Sequence, residues 1–163
     1  MPVITPAITG SKNVCAFLDM IAWSELKKLI DVSDNGYNVI VGSTPNNLML
    51  FKSYKDHPRK LVTINEHLKS TAAGRYQLLA RYYDAYKKLL NLIDFSPYSQ
   101  DLIAIQQIRE RKALPMIKAG QIEAAIKQCS NIWASLPGNN YGQHQNSLAD
   151  LKAAYIKAGG ECV

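Results

Sequence analysis

The chain is expected to fold as an α+β domain whose helices and small antiparallel sheet occupy separate stretches of sequence. Three observations predict this. Apolar residues recur at helical spacing near the start and again through the C-terminal half, and between them lies a stretch of turn signals and β-rich runs. In addition, no repeat, low-complexity run or linker divides the 163 residues, a length that one core can organise.

Taken in order, residues 1–11, with Pro2, Pro6 and Gly10, are expected to form a loose arm on a single domain spanning 1–163. Ser11 is a plausible N-cap, after which Val14, Leu18 and Ile21 make one apolar helical stripe. Asp34-Asn35-Gly36 signals a turn, Tyr37 to Val41 a strand, Ser43 to Asn47 a loop and Leu48 to Phe51 a second strand; Leu61 to Ile64 adds a third. From Ser70 the spacing of Tyr76, Leu79, Tyr83, Tyr86 and Leu90 predicts a helix reaching Leu92. Ser96-Pro97 breaks it, and Ser99 is expected to cap a helix carrying Leu102, Ile105 and Ile108. Pro115 marks a boundary, and helices are predicted over 122–134 and 148–158, the last closed by Gly159-Gly160.

Composition bounds the function. With 47% hydrophobic and 20% charged residues the chain is globular, neither disordered nor fibrous. Its 19 Lys and Arg against 13 Asp and Glu leave a net charge of +6, suiting nucleic acid, an anionic membrane face or an acidic polysaccharide. The apolar run from Val14 to Trp23 is too short to span a bilayer and lacks a signal peptide's flanks, so a cytoplasmic location at synthesis is expected. Cys15, Cys129 and Cys162 are scattered and without metal-ligand spacing; neither metal nor cofactor is called for.

Continuing the first helical stripe by four residues lands on Glu25, a carboxylate on an otherwise apolar face. If its helix ends soon after, both the macrodipole and partial burial raise its pKa towards neutrality, as a general acid requires. The alternative is a structural Glu, paired with Lys28 or a distant Arg or turned to solvent. Asp31, Asp34 and Asp56 are candidate second acids, but Asp34 heads the Asp-Asn-Gly turn, which explains it without chemistry.

Six ordered blocks carry a family resemblance. They are Ala16 to Glu25, ending Ala22-Trp23-Ser24-Glu25; Gly36 to Gly42; Asp56 to Thr63; Lys69 to Leu79; Ala113 to Ile117; and Cys129 to Gly138. Together they resemble the lambda-type lytic transglycosylases, phage endolysins of the lysozyme-like superfamily. The resemblance implies a small antiparallel β lobe and a mainly helical lobe with a cleft between them. It also implies that Glu25 acts on the bond between N-acetylmuramic acid and N-acetylglucosamine, first as acid and then as base, leaving 1,6-anhydro ends. Gln77 matches a glutamine that binds substrate or orients the acid, while Tyr37 and Tyr141 match cleft-facing tyrosines able to stack on sugars. Each has a packing or surface alternative. Trp23 and Trp133 lie in apolar patterns and are assigned to the core, His57 to a turn, and Arg75 and Arg109 to ion pairs.

The implied partners are peptidoglycan glycan strands and, for access to them, a holin that opens the membrane; the enzyme waits in the host cytoplasm and then acts at the wall. A monomer is implied, with no nucleic acid and no membrane insertion. Three departures stand out. Leu26-Lys27 replaces the family's Gly-Thr after the glutamate and is expected to continue the helix, Asn38 replaces an Asp, and the loop 43–52 is longer, reshaping the lip of the cleft. The competing functions are a hydrolytic muramidase on the same bond and a non-catalytic basic module binding wall or nucleic acid.

Overall fold

The computed structural model describes all 163 residues, Met1–Val163. The elements run α1 (Pro6–Thr9), α2 (Lys12–Leu26), a 3-10 turn (Lys27–Ile30), β1 (Val62–Asn65), β2 (Leu68–Ser70), α3 (Ala80–Leu89), α4 (Pro97–Glu110), α5 (Leu114–Lys118), α6 (Ile122–Cys129) and α7 (Leu148–Lys157). They form two compact units, one of Met1–Glu25 with Ala104–Val163 and one of Leu26–Ile103. No helix is long and apolar enough to cross a membrane.

In the first unit α2 is the central element. Ser11 takes the predicted cap position, its hydroxyl accepting from the Asn13 N–H at 3.2 Å. Val14 to Leu18 and Met20 to Ala22 are all buried, so the helix is covered on every side and not along one stripe. Each large side chain among them contributes about 1.5–3 kcal/mol through its burial. The expected loose arm is corrected as well: Ile4 is buried, its carbonyl accepts from the Cys15 thiol, and α1 is closed by Gly10 at φ 71°. Ile122, Ala125, Ile126 and Cys129 present the buried face of α6, which stops at Cys129 where a helix to 134 was predicted. Ser147 caps α7 by accepting from the Asp150 N–H. The chain end then turns so tightly over Tyr155 that a side chain at Gly160 would strike its ring. No disulfide forms among Cys15, Cys129 and Cys162.

The second unit holds the sheet. Its one regular ladder is the hairpin of β1 and β2, in register Val62↔Ser70 and Thr63↔Lys69 with a shift before Asn65↔Leu68. The predicted strands at 37–41 and 48–51 do run antiparallel, but only through isolated bridges such as Val39↔Leu50. The predicted helix from Ser70 to Leu92 shrinks to α3, because 71–79 is a chain of turns and bridges with Gly74 at φ 82° and Gln77 at φ 49°. Ser96, not Ser99, caps α4: its hydroxyl accepts from the Ser99 N–H, with Pro97 in the first helical position. Ala73, Leu78, Tyr83, Phe95 and Ile103 form one buried cluster here, and Leu26, Leu29 and Val39 a second. His57, expected in a turn, is buried against the rings of Tyr83 and Phe95, its Nε2–H donating to the Leu78 carbonyl at 2.8 Å while Nδ1 accepts from the Arg59 N–H.

Candidate active site

Glu25 is the second-to-last residue of α2, which ends at Leu26. The helix does not continue as expected through Leu26-Lys27: Lys27 adopts φ 50° and a 3-10 turn follows. That break leaves Glu25 in the terminal turn, where unpaired carbonyls and the macrodipole oppose a negative charge. The side chain is half-buried, and desolvation pushes its pKa from 4.5 up to about 7 although hydrogen bonds from the Ser135 side chain and backbone pull the other way. Such a carboxyl holds its proton near neutrality yet can release it, which suits general acid and then general base chemistry.

The groups around Glu25 belong to the same unit. The Ser135 hydroxyl donates to Glu25 Oε1 at 2.5 Å. Ser135 Oγ lies 2.7 Å from Ser24 Oγ, and Asn146 Nδ2 donates to Ser24 Oγ at 2.8 Å. Ser24 and Asn146 are buried. None of these three was singled out in sequence. A signal existed for two of them: Ser24 adjoins the glutamate, and Ser135 is a lone hydroxyl between Trp133-Ala134 and Leu136-Pro137. Asn146 sits in a polar loop and carried none.

Tyr141 also lies in this unit, an exposed residue (53%) whose hydroxyl donates to the Asn131 carbonyl at 2.7 Å. Trp133 is buried, as its apolar setting predicts.

Tyr37 and Gln77 belong to the second unit. Tyr37 is not a surface tyrosine: it is 1% exposed, and its hydroxyl donates to Asp101 Oδ1 at 2.9 Å beside that of Tyr76 at 2.7 Å. The buried Arg75 guanidinium lies over the Tyr37 ring and donates to the Asn35 carbonyl. The expected sugar contact at Tyr37 is therefore corrected to a framework role, and Arg75 is a core residue and not a surface partner. Asp101, buried within α4, was missed because its neighbours Leu102 to Ile105 read as a plain apolar helix.

Gln77 stands in the turn after Gly74 instead of on a helix surface. Its φ of 49° is a left-handed conformation that costs a non-glycine residue on the order of 1 kcal/mol. Nε2 donates to the Gly74 carbonyl at 2.9 Å, which fixes the amide and leaves Oε1 available as an acceptor.

The candidate second acids are engaged elsewhere or exposed. Asp34 carries the turn through its carbonyl, which accepts from the Tyr37 N–H, and its carboxylate accepts from the Tyr54 hydroxyl at 2.6 Å. Asp56 pairs with Arg59 at 2.7 Å, and Asp31 is exposed. Arg109, expected in an ion pair, instead donates to Gln106 Oε1 at 3.0 Å.

The chain is similar along most of its length to known proteins. A family model described as endolysin matches residues 15–162. The endolysin of Escherichia phage lambda is 58% identical over 147 residues, covering 89% of this chain and 90% of that protein. That of Escherichia phage P2 is 48% identical over 161 residues, covering 95% and 98%. Among solved structures, bacteriophage lambda lysozyme complexed with a chitohexasaccharide superimposes with a TM-score of 0.87 at 54% identity, covering 94% of this chain and 97% of that one. A second structure of lysozyme from bacteriophage lambda gives 0.83. The fold is α+β and lysozyme-like, and the chain belongs to the endolysin family.

Proposed function

We propose that the chain is a peptidoglycan lytic transglycosylase that cleaves the β-1,4 bond between N-acetylmuramic acid and N-acetylglucosamine. The observation that carries this reading is Glu25, a half-buried carboxyl at a helix end with its pKa raised to about 7. Protonated Glu25 gives its proton to the glycosidic oxygen as the bond from the anomeric carbon to that oxygen breaks. The muramic acid's own 6-hydroxyl forms a new bond to the anomeric carbon and loses its proton to the Glu25 carboxylate, which restores the acid. The nucleophile is already part of the substrate, so holding the sugar in a reactive pucker supplies much of the rate.

A hydrolase of two carboxylates needs a second acid, and the engagement of Asp34 and Asp56 favours the single-acid route. Gln77 Oε1 serves as acceptor for a sugar hydroxyl or acetamido N–H, and the ring of the exposed Tyr141 stacks on a pyranose. That the related lambda lysozyme was solved with a chitohexasaccharide supports glycan strands as the ligand. The whole chain acts as one catalytic domain and as a monomer, using neither metal nor cofactor. It is held in the host cytoplasm until a holin opens the membrane, and its +6 charge retains it at the anionic wall and not at nucleic acid.

Mass spectrometry of purified peptidoglycan digested by the wild type and by Glu25→Gln tests the reading. Fragments one water lighter than reducing-end products are expected from the wild type, with at least a ~100-fold loss of rate in the variant. Only reducing ends would replace it with a muramidase, and equal digestion by the variant would remove Glu25 from the chemistry.

A further inference from the structure

The hydrogen bonds behind Glu25 have a direction. Asn146 Nδ2 is surrounded by the Ser24 carbonyl and the Ser135 carbonyl, each at 3.3 Å, as well as by Ser24 Oγ. Carbonyl oxygens only accept, so the amide nitrogen, and not its oxygen, must face them. Its N–H therefore donates to Ser24 Oγ. The Ser24 hydroxyl hydrogen is then free to donate to Ser135 Oγ, and that of Ser135 to Glu25 Oε1. The backbone closes the arrangement, with the Asn146 N–H donating to the Ser135 carbonyl at 2.8 Å. Ser24 lies one residue before Glu25, so the helix that carries the acid also carries the middle link.

Resting on the assignment of Glu25 as the acid, we propose that Ser135, oriented by Asn146 through Ser24, is a positioning residue that keeps Glu25 Oε1 as a hydrogen-bond acceptor and so places the transferable proton on Oε2. A proton on Oε1 would confront the Ser135 hydroxyl hydrogen unless Ser135 turned that hydrogen back towards Ser24, whose Oγ already accepts from Asn146. The relay serves both halves of the cycle. In the acid half it leaves Oε2–H to face the glycosidic oxygen. In the base half it donates to the carboxylate just formed, a charge-assisted bond stronger than the neutral one it replaces.

The relay also bears on acidity. Burial raises the Glu25 pKa to about 7, and the Ser135 hydrogen bonds restrain it from going higher. Removing the Ser135 hydroxyl leaves burial and only the backbone bond. The carboxyl then holds its proton to higher pH, and the carboxylate formed in the reaction loses its donor.

The test is a carbon-13 NMR titration of the Glu side-chain carboxyls, with the pH profile of peptidoglycan digestion, in the wild type, Glu25→Gln, Ser135→Ala, Ser135→Thr and Ser24→Ala. Glu25→Gln identifies the Glu25 resonance by deleting it. In Ser135→Ala the midpoint and the alkaline limb of activity are expected to move up together by about one pH unit, with a roughly tenfold lower maximal rate. Ser24→Ala, which breaks the relay but keeps the last hydroxyl, moves both by less, and Ser135→Thr, which retains the hydroxyl, restores them. An inactive Glu25→Gln together with an unmoved midpoint and limb in Ser135→Ala overturns the relay while leaving Glu25 as the acid. An active Glu25→Gln overturns the assignment on which the relay rests.

Discussion

At the scale of single residues, ionisation of Glu25 works against the stability of the fold. The native chain binds this proton with a pKa of about 7 and an unfolded chain with one of 4.5. Between those values the native state holds more protons than the unfolded state, so stability falls as pH rises through the window. Glutamine cannot ionise. Glu25→Gln is therefore expected to be more stable than the wild type at about pH 8 by on the order of 2–3 kcal/mol, with the difference shrinking at about pH 4, where both side chains are neutral. Urea denaturation at the two pH values measures this; an equal difference at both would contradict the raised pKa. His57 has the opposite sign. Burial holds its native pKa below 6.5, so its contribution is complete above 6.5 and is lost as pH falls below that value.

At the scale of elements, the turn at 73–78 leaves little room for change. Gly74 has φ 82°, and a Cβ there would meet the Gln100 side chain and Phe95. Gln100 is already committed, with Oε1 accepting from the Arg75 N–H and Nε2 donating to the Tyr37 and Phe95 carbonyls. Gly74→Ala combines a left-handed alanine with overpacking of a buried amide, and a loss of about 2–4 kcal/mol in urea unfolding is expected. A loss under about 0.5 kcal/mol would mean that this turn is not under the constraint described. The same turn explains why the chain here was misread. Tyr76, Leu79 and Tyr83 satisfy a helical period, but Tyr76 is buried by its bond to Asp101 and Tyr83 by packing on Phe95, two unrelated reasons that coincide in spacing. By contrast α2 was legible because its cap, its apolar residues and Glu25 all follow one helix. Its end was not, since nothing in Leu26-Lys27 signals a left-handed lysine.

At the scale of the whole molecule, the class of fold and the place of Glu25 on its helix were readable, whereas the groups that hold Glu25 were not. Ser24, Ser135 and Asn146 are distant in sequence and become partners only when the loop after α6 packs beside the end of α2. Short polar side chains give no periodic signal, and the same limit hid Asp101 and assigned Tyr37 to a surface it does not reach. The +6 charge suits an anionic polymer and the family is that of the endolysins, but charge carries no information on how the bond is cut. Digestion of purified peptidoglycan in oxygen-18 water, followed by mass spectrometry of the new glycan ends, addresses the bond cleavage directly. An internal 6-hydroxyl nucleophile predicts anhydro ends that carry no label, whereas labelled reducing ends as the primary product would contradict the single-acid transglycosylase.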